Sequence, residues 1–222
     1  MMDWLLSSQI DAARLPSLLW QQWWLRAGWA VVLAWCAVGL ASRFTQRRSV
    51  KIVLATSAAV WAGWPGSGGA AYWLGLAFQA PSVATVLLCA VLTVRKLAGN
   101  VDLGLGPSGW SGYVLAWAVC GVAFGWALLL DTLGVFPGSV FNWGFGAAAP
   151  AIIISVALLI RSFQKAAYSM KEVCTLALGA FLFLVLRLPT GNGFDAILDP
   201  ALWVVLHIAL LRQWLMHIQT RS

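Results

Sequence analysis

Five charged or titratable residues lie within or beside apolar segments, and they are the positions best placed to do chemistry. His207 lies seven residues into the last apolar segment, and Arg187 is the last charge before an earlier segment ends. An ionisable group at membrane depth is costly and by default marks a candidate functional site. If their helices pack as neighbours, His207 can act with carboxylates in an intramembrane enzyme at the outer leaflet. The three candidate carboxylates are Asp131, Asp195 and Asp199.

A structural interpretation competes with this one at each position. Arg187 and Asp131 stand at segment borders, where long or polar side chains commonly reach water. Asp199 precedes Pro200, a pair typical of a helix start, with the aspartate as N-cap. A single buried histidine, His207, is often satisfied by a backbone carbonyl. The sequence leaves both interpretations open.

Metal and cofactor sites are not predicted. His207 and His217 are ten residues apart, about 15 Å along a helix, so they cannot bind one metal or haem iron. No two cysteines are closer than thirty residues, and no zinc, nucleotide or hydrolase motif is present. The four cysteines therefore read as small buried hydrophobic residues, and no cofactor is expected.

Two Gly/Pro-rich aromatic segments, 64–81 and 133–150, interrupt the apolar pattern. Interrupted segments mark binding sites in transporters, because unwound backbone must line a cavity or be covered by protein. The alternative is a pair of tight connections covered by Trp and Phe. If a ligand binds there, the candidate binding residues are Trp73, Gln79, Asn142 and Trp143.

Gly121 and Gly125 form a GxxxG pattern within one apolar segment. Two small residues one turn apart let a second helix approach closely. In a glycine-rich chain the pattern favours an intramolecular helix contact over a dimer face.

Composition places the chain in a membrane. Of its 222 residues, 61% are hydrophobic and 9% are charged, whereas soluble domains carry about 25% charged residues. We therefore expect an all-α, polytopic membrane helical bundle. The net charge of +7 comes from basic residues beside apolar segments, which favours anionic lipid headgroups as partners over nucleic acid.

Residues 1–16 are expected to form an interfacial amphipathic helix that precedes seven spans. The third span is either one Pro-kinked helix, which we favour, or a short re-entrant helix followed by a span from Ser82. The expected spans are approximately 24–42, 49–65, 71–95, 112–130, 147–160, 173–188 and 201–216.

The charges sort by side when seven spans are assumed. One side then carries 11 of the 14 Lys and Arg residues, and the other carries five of the seven acids. By the positive-inside rule the basic side is cytoplasmic. This predicts an outside N-terminus, a cytoplasmic C-terminus and a multi-pass protein of a bacterial inner membrane.

Three functional classes fit this sequence. The first is a subunit or accessory protein of a larger membrane complex, with the bilayer and other membrane subunits as partners. The second is a small-solute transporter or channel with an outward, Trp-lined pocket. The third is the intramembrane enzyme built on His207. Minimal loops, abundant small residues and the lack of catalytic motifs favour the first.

Overall fold

A computed structural model describes most of the chain, and all regular secondary structure in the described residues is helical. The described residues are 15–99, 112–136, 139–146, 149, 154–155, 178–183 and 185–219. The bounded helices are α1 Leu18–Ala41, α2 Arg48–Gly63, α3 Ala70–Phe78, α4 Val83–Leu97, α5 Gly112–Thr132, α6 Val140–Trp143, α7 Gly193–Ile197 and α8 Pro200–Gln219. The expected all-α class is confirmed for this part of the chain.

Three of these helices are long and apolar enough to cross a membrane: α1, the Leu115–Thr132 part of α5, and α8. Helices α2 and α4 have 16 and 15 residues, about 24 and 22 Å at 1.5 Å per residue, against a ~30 Å hydrocarbon core. Residues 1–14, most of 147–160 and the first part of 173–188 lie outside the described residues. The finding supports a membrane protein, and the count of seven spans stays a prediction.

The expected third span is divided into two helices, which differs from the favoured single kinked helix over 71–95. Helix α3 ends at Phe78, Gln79 has a φ of 62°, and α4 starts at Val83. Pro81 explains the break, because proline lacks an N–H and clashes with a preceding helical turn. Ser82 then caps α4 by accepting a hydrogen bond from the Thr85 N–H.

Helix α1 packs along both α2 and α4. Its Gly28 lies against Pro81 and Val86, where an added Cβ would be 2.7 Å from the proline Cγ. Further along both helices, Cys36 of α1 lies near Cys89 of α4. Residue numbers therefore increase in the same direction along α1 and α4, so the two helices run parallel and end at a similar level.

Helices α5 and α8 pack against each other with opposite directions. Gly125 contacts Trp203 and Gly121 contacts Leu206, so position rises along one helix as it falls along the other. The GxxxG pattern of α5 therefore faces another helix of the same chain. A Cβ at Gly121 would be 2.7 Å from the Leu206 side chain, so both glycines are needed for this approach.

The acids of the described helices lie at one end of the bundle and most of their cations lie at the other, with Arg26 of α1 as an exception. Asp199 contacts the first turn of α4, while Arg95 and Lys96 lie in its last turn, about 20 Å away. Because α1 runs parallel to α4, the α1–α2 connection lies at the level of Arg95. We call these the acidic end, where Asp131, Asp195 and Asp199 lie, and the basic end. The basic end comprises Arg43, Arg47, Arg48, Lys51, Arg95 and Lys96.

We expect Gly125→Ala to lower the thermal unfolding temperature of the detergent-solubilised protein, because its Cβ collides with the Trp203 ring. The loss should correspond to about 1–3 kcal/mol, the usual cost of overpacking. Gly39→Ala is the matched control, since a Cβ there meets nothing within 4 Å. Equal unfolding temperatures for the two variants would contradict the α5–α8 packing.

Candidate functional site

The Asp199 carboxylate is shared by the N-termini of two helices. Its Oδ1 accepts the Leu202 N–H at 2.7 Å, which makes it the N-cap of α8, as its position before Pro200 predicts. Its Oδ2 accepts the Ser82 N–H at 2.8 Å and the Thr85 hydroxyl at 2.6 Å. Asp199 is only 8% exposed. A carboxylate in this position is favoured by the positive ends of both helix dipoles.

The broken backbone between α3 and α4 is satisfied by tryptophans of α1. The Trp24 indole donates to the Pro81 carbonyl and the Trp29 indole to the Gln79 carbonyl, both at 2.9 Å. Unpaired carbonyls in hydrocarbon cost several kcal/mol, so these bonds stabilise the interruption. Gln79 therefore takes part through its backbone, while its side chain is exposed.

A small cleft of about 30 Å³ lies beside this break. Trp29, Phe78 and Pro81 line one side, and Thr85 and Asp199 contribute its polar atoms. A water molecule occupies about 30 Å³ in the liquid, whereas ligand pockets measure about 300–1,000 Å³. The cleft can therefore hold water but is far smaller than a typical ligand pocket.

His207 is held between two helices, with both ring nitrogens engaged. Its Nε2 lies 3.1 Å from the Trp126 indole nitrogen, which only donates, so Nε2 must accept. Its Nδ1 lies 2.8 Å from the Trp203 carbonyl, which only accepts. These partners assign the neutral Nδ1–H tautomer. Edge-on contacts with the Trp126 and Trp203 rings complete an aromatic cluster between α5 and α8.

Asp131 fastens the loop that follows α5. Its two oxygens accept the N–H groups of Val140 and Phe141 at 3.0 and 2.7 Å, and the Ser139 hydroxyl lies 3.3 Å away. The carboxylate thus satisfies the first turn of α6. Asp131 connects the end of one helix to the start of the next.

Asp195 lies in α7, in the loop before α8, and accepts a 2.6 Å hydrogen bond from the Thr190 hydroxyl. Burial raises the pKa of the Asp195 carboxyl, and the Thr190 bond opposes part of that rise. The helix that carries Asp195 is partly covered by the rest of the protein, because Phe194 and Ala196 are buried.

Asn192 joins the two loops of the acidic end. It is fully buried, its amide donates to the Phe141 carbonyl at 2.9 Å, and its oxygen accepts the Phe194 N–H. Gly144 packs directly against its side chain, and the Gly193 N–H donates to the Gly144 carbonyl at 2.7 Å. These bonds dock the loop after α5 onto the loop before α8.

Arg187 also contributes to this docking. Its guanidinium lies 3.4 Å from the Phe145 carbonyl and 5.0 Å from the centre of the Phe183 ring. Its backbone φ is 55°, which ends the helical residues that precede it. A cation over an aromatic face is favourable where water is scarce.

The remaining candidate ligand residues do not meet at the cleft. Trp73 of α3 is exposed, and its indole donates at 2.8 Å to the carbonyl of Ser67, which lies just before that helix. Asn142 and Trp143 are exposed on α6. None of the three lines the cleft beside Asp199.

The structure brings the predicted outer residues to one end of the molecule but gives each its own partners. Within the described residues, no hydrogen bond joins any two of Asp131, Asp195, Asp199 and His207. The same part of the chain contains no His/Cys/Asp/Glu group arranged to hold a metal. Every candidate carboxylate and the imidazole bond to neighbouring structure.

Sequence reasoning missed four residues that carry these contacts. Ser82 and Thr85 form a capping pair three residues apart just after Pro81, a signal that was present. Asn192 stands before Gly193 in a turn sequence, where asparagine caps are common. The donor role of Trp24 had no local signal, since its acceptor is 57 residues away.

No protein-family model matches the chain, and no curated protein or solved structure matches it either. Its function is therefore inferred from its own residues.

Asp199→Ala is expected to destabilise the protein by about 2 kcal/mol, because it removes the cap of α8 and the bonds to Ser82 and Thr85 at the start of α4. The measurement is the unfolding free energy in detergent near pH 7. Asp195→Asn is the matched control, because an amide oxygen can still accept the Thr190 bond.

A raised pKa means that Asp195 contributes stability at pH values below its unfolded pKa, and that this contribution is lost as the pH rises through the folded pKa. The unfolding free energy of Asp195→Asn relative to that of the wild type should therefore increase as the pH rises from about 4 to 7. A larger loss at pH 7 in Asp195→Asn than in Asp199→Ala would refute these roles.

A double-mutant cycle of Trp126→Phe and His207→Ala tests the imidazole contact. Loss of the indole–imidazole bond predicts a coupling energy of about 0.5–1.5 kcal/mol in unfolding. A cycle of Trp126→Phe with His217→Ala should show none, because Trp126 bonds to His207. Strict additivity in the first cycle would contradict a structural role for His207.

Proposed function

We propose that this chain is a multi-pass membrane protein that serves as a subunit or scaffold of a larger membrane complex. A bacterial inner membrane with the basic end in the cytoplasm fits the positive-inside rule. The polar residues suited to catalysis are engaged in holding helices and loops. The surface that remains is mostly apolar, which suits lipid and other membrane helices as partners.

An exposed stripe on α8 carries this proposal. Val204, Ile208, Leu211, Leu215 and Ile218 are all exposed large hydrophobic residues, and their spacing alternates between four and three. This is the spacing of a coiled-coil seam, in which each residue enters a hole on a facing helix. The other side of α8 already packs against α5, through residues that are not part of this stripe.

Val205 and Trp214 are exposed as well, so the face of α8 that points away from α5 is apolar over a wide arc. Such a face suits lipid and also a second helix, and the repeat of five positions at coiled-coil spacing favours the helix. Trp203 and His207 lie outside this repeat, because they face α5. The occupant that we propose is a transmembrane helix of a partner subunit.

The alternative of a solute transporter has less support. The cleft at the helix break, about 30 Å³, is far smaller than a typical ligand pocket. Trp73, Asn142 and Trp143 lie away from it. The enzyme alternative depends on His207, whose two nitrogens are bonded within the bundle.

The test is the mass of the native complex. The full chain, purified in mild detergent from its own cells, should carry other membrane subunits in fixed stoichiometry by native mass spectrometry. Ile208→Ala with Leu211→Ala should weaken that association at least about tenfold, since two buried aliphatic side chains are shortened. Val119→Ala with Leu129→Ala, on exposed positions of α5, is the matched control. A detergent-solubilised single chain, or equal losses in both pairs, would overturn the proposal.

A further inference from the structure

The first turn of α2 combines features that an anion would satisfy. Its N-cap, Arg47, makes no side-chain capping bond, and no acid lies in the first turn. The N–H groups of Arg48, Ser49 and Val50 have no acceptor within the described part of the chain. The start of a helix is the positive end of its dipole, so free N–H groups there favour an anion.

Cations stand where that dipole disfavours them. Arg47 and Arg48 are exposed at the start of α2, and Lys51 follows in the same turn. By contrast, α4 begins with a serine cap, and an aspartate caps α8. Three positive groups at a positive helix end repel one another, and an anion between them removes that repulsion.

Lys51 is the strongest part of this observation. Its side chain is only 7% exposed, and its ammonium has one contact, at 3.4 Å, with the neutral Gln46 amide oxygen. A buried charge is normally paired. No acidic residue pairs with Lys51 in the part of the chain that the structure describes, so the neutral Gln46 oxygen leaves its charge without a counterion.

Neighbouring segments enlarge this positive surface. Arg43 precedes α2, and Arg95 and Lys96 end α4, which finishes at the same level because it runs parallel to α1. None of these residues forms an ion pair with another described residue. The acids of the described helices lie at the opposite end of the bundle.

We infer that this basic end binds the phosphate headgroup of an anionic phospholipid at the first turn of α2. The phosphate accepts hydrogen bonds from the free N–H groups and from Lys51, and Arg47 and Arg48 neutralise it.

An acyl chain distinguishes this ligand from free phosphate. Beyond the first turn, Val50, Val53 and Leu54 are exposed on α2, one turn apart and continuous with the site. Phe44, beside Arg43, is 81% exposed and lies at the level where headgroups meet hydrocarbon. A lipid uses this apolar surface together with the cations, and inorganic phosphate does not.

Native mass spectrometry of the full chain in detergent tests the site with added phosphatidylglycerol or phosphatidylcholine. The wild type should retain the anionic lipid at least about tenfold more strongly. Arg47→Gln with Arg48→Gln should weaken that binding on the order of 30-fold, from two charges at ~1 kcal/mol each. Arg26→Gln, a cation of α1 near the opposite end, is the matched control and should bind as the wild type does.

Lys51→Met provides a second variant, because it keeps an apolar stem in the buried position and removes only the ammonium. It should also reduce the preference for phosphatidylglycerol, with an unfolding temperature in phosphatidylcholine close to that of the wild type. Equal binding of both lipids, or an equal loss in Arg26→Gln, would overturn the inference. So would complete displacement of the lipid by millimolar inorganic phosphate, which would mark a free-anion site.

Discussion

The arrangement of the bundle depends on one buried carboxylate that joins the starts of two helices. Asp199 accepts N–H groups from the starts of α4 and α8, although Ser82 lies 117 residues earlier in the chain. Water can satisfy such groups at the surface of a soluble protein, but in a membrane interior they must find partners within the chain. Fixing both helix starts to one side chain sets α8 relative to α4. Because α5 packs along α8, its position follows as well.

Tryptophan does more in this chain than mark the membrane boundary. The indoles of Trp24, Trp29, Trp73 and Trp203 each donate to a backbone carbonyl, and Trp126 donates to His207. An indole combines a large apolar surface with a single donor. It can therefore cover an interrupted helix and satisfy its carbonyls without introducing a charge. This explains how the break between α3 and α4 persists beside apolar surroundings.

Local patterns predicted the features that depend on adjacent residues. Apolar runs indicated α1, α5 and α8, and the Asp199–Pro200 pair indicated a helix cap. The distant partners could not be predicted, because nothing near Asp199 points to Ser82 or Thr85. A proline such as Pro81 is compatible with both a kinked helix and a broken one, and the sequence favoured the kink. The break needs hydrogen-bond donors from α1 and an acceptor from Asp199, and only the packed structure reveals these partners. The sorting of charges did predict that the described acids lie at one end, but not that each binds separate partners.

The charged side chains at the two ends differ in whether they have partners within the fold. At the acidic end, Asp131 and Asp199 accept N–H groups, and Asp195 accepts a hydroxyl, so these carboxylates hold loops and helix starts. At the basic end, Lys51 and the arginines have no acid among the described residues. A group already bonded within the fold contributes stability, whereas a buried cation without an acidic partner gains most from an external anion. Among the described residues, the charges open to an external ligand therefore lie at the basic end, while the carboxylates of the acidic end maintain the architecture.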